Sequence, residues 1–368
     1  MFTPRFTLTG AITKALMEIE ACRQAITSLP LTVRMLDSLR RTARLLSTHF
    51  STQIEGNKLS RAQVKEVLAG GGRFPGRERD EAEVRNYYEA LNFAVAEAGK
   101  KQALTERTVR TIHGLVLAGK KKPTPYRQGQ NVIRDGRSGA IVYMPPEAKD
   151  VPRLMKELIA WIASESRRDE LPVPVVAALA HYQFATIHPY FDGNGRTARL
   201  LTTLLLHRGG YGLNGIYSLE EYYAKNLQGY YDALAVGKSH NYYLGRAKGD
   251  ITPFLRYFCA GMAESFAAVR SHAEEARRVE EVNETVTLRE LTAQQRKALS
   301  LFLRAKTVTA REVADFFGIG ARAAADLCVR WVKAGFLRLT DPSKKARRYG
   351  LASKYEAIVA SDRAANDS

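Results

Sequence analysis

The chain has 368 residues, 45% of them hydrophobic and 26% charged, which excludes a disordered or fibrous polypeptide and allows two or three folded domains. No run approaches the roughly 18 apolar residues of a membrane helix, and the opening MFTPRFTLTG lacks the apolar stretch of a secretory signal, so a cytoplasmic protein with no membrane partner is expected. Cys22, Cys259 and Cys328 are too few and too scattered for a disulfide framework or a thiolate zinc site, whereas a formal net charge of +18 points to an anionic partner.

Most of the chain reads as helix. Leu36, Leu39, Ala43, Leu46, Phe50 and Ile54 recur at three- and four-residue spacing and predict an amphipathic helix that closes at Gly56. Further helices are expected over 61–69, 81–98, 106–117 and 151–164, with a glycine- and proline-rich loop over 70–78. Over 131–146, two β-branched runs around Asp135-Gly136 and Ser138-Gly139 predict a hairpin that stops at Pro145-Pro146. A lone two-stranded ribbon is only marginally stable, so it needs a support or a task. Two apolar helices, over 173–187 and 195–207, flank the segment that begins at His188. Farther on, Phe266, Val269, Ala273, Ala276, Val279, Val282 and Val286 recur among charges and predict a connecting helix. Its seam could serve a homodimer contact or pack on its own domain.

Between Arg289 and Gly350 the chain holds 14 Lys/Arg against 5 Asp/Glu, which is half of the whole excess and marks out a separate module. Thr292-Ala293-Gln294-Gln295 and Thr309-Ala310-Arg311-Glu312 read as capping boxes that open helices. The second helix runs to Phe317, a third runs up to Gly335, and two strands, 336–340 and RRYGL, surround a DPSKKA turn. Three helices and a basic hairpin resemble a winged helix. Lys344, Lys345, Arg347 and Arg348 could then touch DNA phosphates, while in a recognition helix opening ARAAADL only Arg322 and Arg330 could read bases. DNA binding and a role in target recognition or dimer contacts both stay open.

The chemistry concentrates in His188-Pro189-Tyr190-Phe191-Asp192-Gly193-Asn194-Gly195-Arg196-Thr197-Ala198-Arg199. Gly193 and Gly195 immediately before a helix allow a sharp turn that aims successive N–H groups at one point, and the helix N-terminus adds partial positive charge. That is an anion cradle suited to a polyphosphate. Asp192 could hold Mg²⁺ together with phosphate oxygens. Arg196 and Arg199, three apart, could both face the phosphates with planar guanidinium forks. His188 could take a proton from an incoming hydroxyl.

HPYFDGNGRTAR resembles the signature of the Fic family, HPFx(D/E)GN(G/K)RxxR, with Tyr190 in place of the usual Phe. The resemblance extends to YMPP upstream and KNLQGYYDAL downstream, covering roughly 106–262. It implies a mainly α protein: a helical bundle with a β-hairpin flap. It further implies transfer of AMP from Mg-ATP to a hydroxyl of a protein target, the enzyme itself included. In that reading His188 is the general base, Asp192 holds the metal, and the Gly193–Gly195 backbone with Asn194 cradles the transferred phosphate. Arg196 binds the departing phosphates and Arg199 the γ-phosphate. The flap grips an extended segment of the target by strand addition along Ile141, Val142 and Tyr143, and Tyr230 and Tyr231 are candidates for the adenine pocket, with core packing as the alternative.

Upstream, Ser51-Thr52-Gln53-Ile54-Glu55-Gly56-Asn57 places a carboxylate on the last turn of a helix, where the helix dipole opposes it. Ser51 lies one turn earlier on the same face. The run resembles the family's inhibitory motif, (S/T)xxxE(G/N), which implies that Glu55 pairs with Arg199 and occupies the place of the γ-phosphate. The expected organisation is an N-terminal helical region over 1–105 with the inhibitory helix at 38–56, a Fic core over 106–262, a connecting helix over 263–290, a winged helix over 291–352 and a tail over 353–368. Alternatives are a DNA-binding regulator whose Fic core is a sensor, and a Fic enzyme that removes AMP or uses another nucleotide.

Overall fold

The computed structural model describes residues 2–29, 31–100, 102–134, 138–237, 239–280, 290–303, 305–341, 343, 347–356 and 359. They divide into two compact units: Met1–Arg23 with Arg40–Val269, and Gln24–Leu39 with Arg270–Ser368.

In chain order the helices of the first part are α1 (Gly10–Ser28), α2 (Val33–Ile54), α3 (Arg61–Leu68), α4 (Glu78–Ala98) and α5 (Glu106–Ala118). A short hairpin follows, β1 (Ile133–Arg134) and β2 (Ile141–Tyr143), then α6 (Val151–Arg168), α7 (Val173–Ile187), α8 (Asn194–Arg208), α9 (Leu219–Lys225), α10 (Leu227–Leu234) and α11 (Thr252–Glu280). The chain is mainly α, as the periodicity predicts. None of the described helices is long and apolar enough to cross a membrane.

The first unit is organised around α7 and α8, which pack against each other, with α4 and α5 against α8 and α6 against α7. Helix α7 carries no polar face: Val175, Ala177, Ala178, Leu179, Ala180, Phe184 and Ile187 are fully buried. A helix that is apolar all round belongs in the middle of a bundle. Its last residue is therefore held firmly, and the turn that follows inherits that rigidity. Helix α3 opens at a full capping box on Ser60 and Gln63. Gly114 on α5 leaves room for the Lys122 carbonyl, so the chain after α5 folds back over that helix and brings Thr124 to His113.

In the hairpin, Ile133 faces Tyr143 and Arg134 faces Ile141, antiparallel, with an irregularity between Ile133 and Arg134. The Asp135-Gly136 part of the expected turn lies outside the described residues.

The second unit contains α12 (Ala293–Ala298), β3 (Thr307–Thr309), α13 (Ala310–Phe317), α14 (Ala321–Lys333), β4 (Leu337–Asp341) and β5 (Arg348–Leu351). Both expected capping boxes form, at Thr292 and at Thr309. The strands make an antiparallel sheet in the order β3-β5-β4. Strand β3 was not legible in the sequence, because its three residues run directly into the Thr309 cap of α13. Phe302, Val308, Leu327, Trp331, Phe336, Tyr349 and Leu351 form the core of this unit.

The expected apolar seam of the connecting helix begins within α11, and Phe266 there is fully buried with its ring edge-on to Tyr217, 5.1 Å away. Phe266 thus fills the core of the first unit. Val282 and Val286, and nearly all of the tail beyond 356, lie outside the described residues.

Candidate active site

Helix α7 ends at His188, which adopts the left-handed conformation with φ 51° and ψ 60°. A non-glycine residue there is uncommon and needs support from its surroundings. After four more residues Gly193, at φ 76°, caps α8. The turn between them is tied at every step. Asn194 receives the Tyr190 amide on Oδ1 at 3.0 Å and donates from Nδ2 to the Tyr190 carbonyl at 2.8 Å. His113, on α5, donates from Nε2 to the Asp192 carbonyl at 2.9 Å, and its ring lies flat on Tyr190, 3.5 Å centre to centre. A Cβ at Gly193 would press on that imidazole. Burial lowers the His113 pKa to about 4, so the ring is neutral and its Nδ1 accepts from the Thr124 hydroxyl.

The turn presents its charged groups to one place. Asp192 is half exposed and receives the Gly193 amide at 2.6 Å and Arg196 Nη2 at 3.0 Å on the same oxygen, Oδ1. Arg196 is buried and also lies 3.7 Å from Glu83 on α4. Arg199 is buried completely, with Nε donating to Ser51 Oγ at 2.8 Å and Nη2 donating to the Ser51 carbonyl and to Glu55 Oε1. Its Nη1 is buried and makes no hydrogen bond among the described residues. Burial works against the Arg199 charge, but Glu55 together with the Tyr230 and Tyr87 hydroxyls offsets it and raises the pKa.

Glu55 follows the last turn of α2, where Gly56 at φ 94° ends the helix as expected. Its side chain is 28% exposed and lies 2.8 Å from Arg199. It also lies against Gly195, where any Cβ would overlap Glu55 Oε1. The C-terminus of α2 disfavours this negative charge, whereas the N-terminus of α8 favours it. Asn57 fixes the position by donating to the Asp80 carbonyl and to Glu83.

Beneath Arg199 runs a buried hydrogen-bonded chain. Ser51 accepts from Arg199 and bonds the Tyr87 hydroxyl, which donates to Glu220 Oε1 at 3.2 Å. Glu220 Oε2 receives Ser47 at 2.8 Å and Ser218 at 2.9 Å. A buried carboxylate thus stands two hydroxyls from the buried guanidinium.

Burial lowers the His188 pKa to about 4, against the Ala185 contact and Glu55, which pull it up. The imidazole is neutral at pH 7. Its Nδ1 faces the Ala185 carbonyl at 3.4 Å, which makes Nδ1 the protonated nitrogen and leaves Nε2 as the acceptor.

Residues 103–206 match the Fic/DOC family model. The chain carries a Fic domain. It is 30% identical over 246 residues to protein adenylyltransferase Fic of Aedes aegypti, covering 66% of this chain and 45% of that one. The Drosophila ananassae protein of the same name is 30% identical over 199 residues, 54% of this chain and 39% of the relative. The chain spans less than half the length of these relatives. Among solved structures, a Fic family protein from Desulfovibrio desulfuricans superposes with TM-score 0.61 at 25% identity, covering 96% of this chain and 99% of the other. Caenorhabditis elegans Fic-1 superposes at 0.57 and 25% identity, covering 73% and 74%.

The Fic signature residues lie together on the turn into α8, and four features are placed differently from the sequence reading. The Asn194 side chain is spent on Tyr190, so it closes the turn and only its backbone N–H can meet an anion. Tyr230 is no pocket wall: it is buried, bonded to His181 at 2.8 Å and stacked on Tyr223, while Tyr231 is 47% exposed. Tyr143 turns inward and donates to the Thr186 carbonyl at 2.6 Å, leaving Ile141 and Val142 as the exposed side chains of the flap. The edge of β2 is also partly closed, because His240 donates to the Val142 carbonyl and Met144 pairs with the 240–242 segment. Of the candidate DNA contacts, Arg322 and Arg347 are exposed, Arg348 donates to Thr307, and Lys344 and Lys345 lie outside the described residues.

Sequence reasoning missed His113, Glu220, Tyr87 and Arg127. His113 left one trace, as a polar residue on the apolar Val109–Ile112–Val116 face of α5. The others carry no local signal, because their partners are distant in the chain.

Proposed function

We propose that this chain is a protein adenylyltransferase that moves AMP from Mg-ATP to a hydroxyl of a protein target or of itself, held in check by Glu55. The observation that carries the reading is the anion cradle at the start of α8. There a carboxylate already occupies the spot that Gly195 leaves open, beside a buried Arg199 whose Nη1 makes no hydrogen bond among the described residues. Such an orphaned donor fits a ligand with more acceptor oxygens than Glu55 has, such as a terminal phosphate.

Asp192 would hold Mg²⁺, with the remaining ligands coming from phosphate and water. Bound there, the ion would neutralise charge on the polyphosphate oxygens. The neutral His188 accepts the proton of the acceptor hydroxyl at Nε2 as the hydroxyl oxygen bonds to the α-phosphorus and diphosphate departs. Arg196 and Arg199 hold the departing phosphates, and the backbone N–H groups of α8 stabilise the charge that develops on the transferred group. The acceptor is laid along the exposed Ile141 and Val142 of the flap.

Intact-mass spectrometry after incubation with Mg-ATP tests this directly. The Glu55→Gly form should gain AMP, and its His188→Ala derivative should lose about 10²–10⁴-fold in rate. An unmodified mass in the Glu55→Gly form, on itself and on every protein of a cell extract, would defeat the proposal.

The C-terminal unit, with three helices and a three-stranded antiparallel sheet whose first strand precedes the second helix, supports a winged-helix assignment. DNA contact through Arg322, Arg347 and Arg348 is read by a mobility shift titrated with salt, where phosphate contacts make affinity fall steeply.

A further inference from the structure

Arg127 lies in the loop between α5 and the flap and is 4% exposed. Among the described residues its guanidinium donates only to main-chain carbonyls. Nε donates to His188 at 3.0 Å, Nη1 to Gly129 at 2.9 Å, and Nη2 to Pro146. Its own amide donates to the Pro189 carbonyl at 3.0 Å. Among the described residues no carboxylate forms an ion pair with it. Burial accordingly pushes its pKa down.

A buried cation without a counter-ion is an unfavourable feature, and an apolar side chain of similar volume would pack there without that penalty. What only a planar fork can do is bind three carbonyls from three segments at fixed angles. Those segments are the end of α7, the arginine's own loop and the base of the flap. The first is the carbonyl of His188, whose left-handed backbone persists only if its surroundings over-determine it. The third follows β2 directly, and Tyr143 on that strand is pinned to the Thr186 carbonyl near the end of α7.

We propose that Arg127 is a positioning residue: it locks His188 in the conformation that aims its imidazole, and it keeps that imidazole in register with the flap that carries the acceptor. The inference rests on the adenylyltransferase reading above. Among the described residues Arg127 makes no hydrogen bond or ion pair with Gly193–Arg199, so ATP binding should be insensitive to it.

The experiment places Arg127→Met and Arg127→Lys in the Glu55→Gly background and measures the rate of AMP transfer against ATP concentration. Misplacing a reacting group by about 1 Å costs about 10²-fold. Arg127→Met should therefore lower kcat by about 100-fold while the KM for ATP stays within about 2-fold. Arg127→Lys keeps the charge but loses the fork, and should lose about 10-fold. An unchanged kcat in Arg127→Met, or kcat and ATP affinity falling together, would overturn the positioning role. If the methionine variant shows no cooperative unfolding transition, the lysine variant decides by the same split. If Glu55→Gly alone transfers nothing, the enzymatic reading has failed, and that is a separate result from either Arg127 outcome.

Discussion

Glu55→Gly is the perturbation whose size follows most directly from the geometry. Arg199 Nη2 is shared between the Ser51 carbonyl at 2.9 Å and Glu55 Oε1 at 2.8 Å, and Nε is held by Ser51 Oγ. The substitution removes the Glu55 contact and leaves both Ser51 contacts in place, so Arg199 stays oriented. A hydrogen bond to a charged group contributes about 1.5–3 kcal/mol, and each ~1.4 kcal/mol is a factor of ten. A terminal phosphate that no longer has to displace Glu55 should therefore engage Arg199 more often, raising the transfer rate about 10- to 150-fold. The assay is incorporation of label from ATP carrying radioactive α-phosphorus, at fixed Mg²⁺. Glu55→Gln keeps the volume against Gly195 and one acceptor atom but removes the charge, and should fall between wild type and Glu55→Gly. Equal rates in all three proteins would refute the competition between Glu55 and phosphate.

Two further outcomes concern the scaffold. His113 and His181 have pKa values lowered by burial to about 4 and about 3, so both are neutral in the fold while the unfolded chain protonates near the ordinary 6.5. The unfolded state binds more protons below that value. Stability should fall as pH drops from 6.5 toward 4, by up to about 1.4 kcal/mol per pH unit for each histidine, read as a falling unfolding temperature. His113→Asn and His181→Asn should flatten that slope, and an unaltered slope in both would remove these histidines from the explanation. Glu220→Gln puts an NH2 donor against either the Tyr87 hydroxyl or those of Ser47 and Ser218, which must then reverse. It should cost about 1–3 kcal/mol and, by removing a buried carboxylate two hydroxyls from Arg199, lower transfer in an otherwise wild-type chain. A denaturant midpoint and rate matching wild type would contradict this.

What the sequence made legible is what its local spacing encodes. The apolar helix into His188, the glycine turn, the hairpin and the helix that ends just before Glu55 all appear where periodicity and motif place them. Even the 144-residue pairing of Glu55 with Arg199 was anticipated, through the family resemblance rather than through spacing. What escaped was set by tertiary packing. Nothing in Tyr126-Arg127-Gln128 says that this arginine is buried on three carbonyls, and nothing in Ser218-Leu219-Glu220 says that the glutamate collects three hydroxyls. Asn194 was misassigned because an amide beside a phosphate cradle has two uses. The local one wins here, since both its polar atoms already fit Tyr190, four residues back. Tyr230 was misassigned because two adjacent tyrosines on one helix face opposite ways, and the sequence does not say which one meets solvent.

The most direct measurement is a crystal structure of the Glu55→Gly protein soaked with Mg²⁺ and ATP. The account predicts a triphosphate over the first turn of α8, with its last phosphate on Arg199 Nη1, metal density at Asp192 and the α-phosphorus facing His188 Nε2. Nucleotide bound elsewhere, or a terminal phosphate that leaves Arg199 untouched, would contradict it.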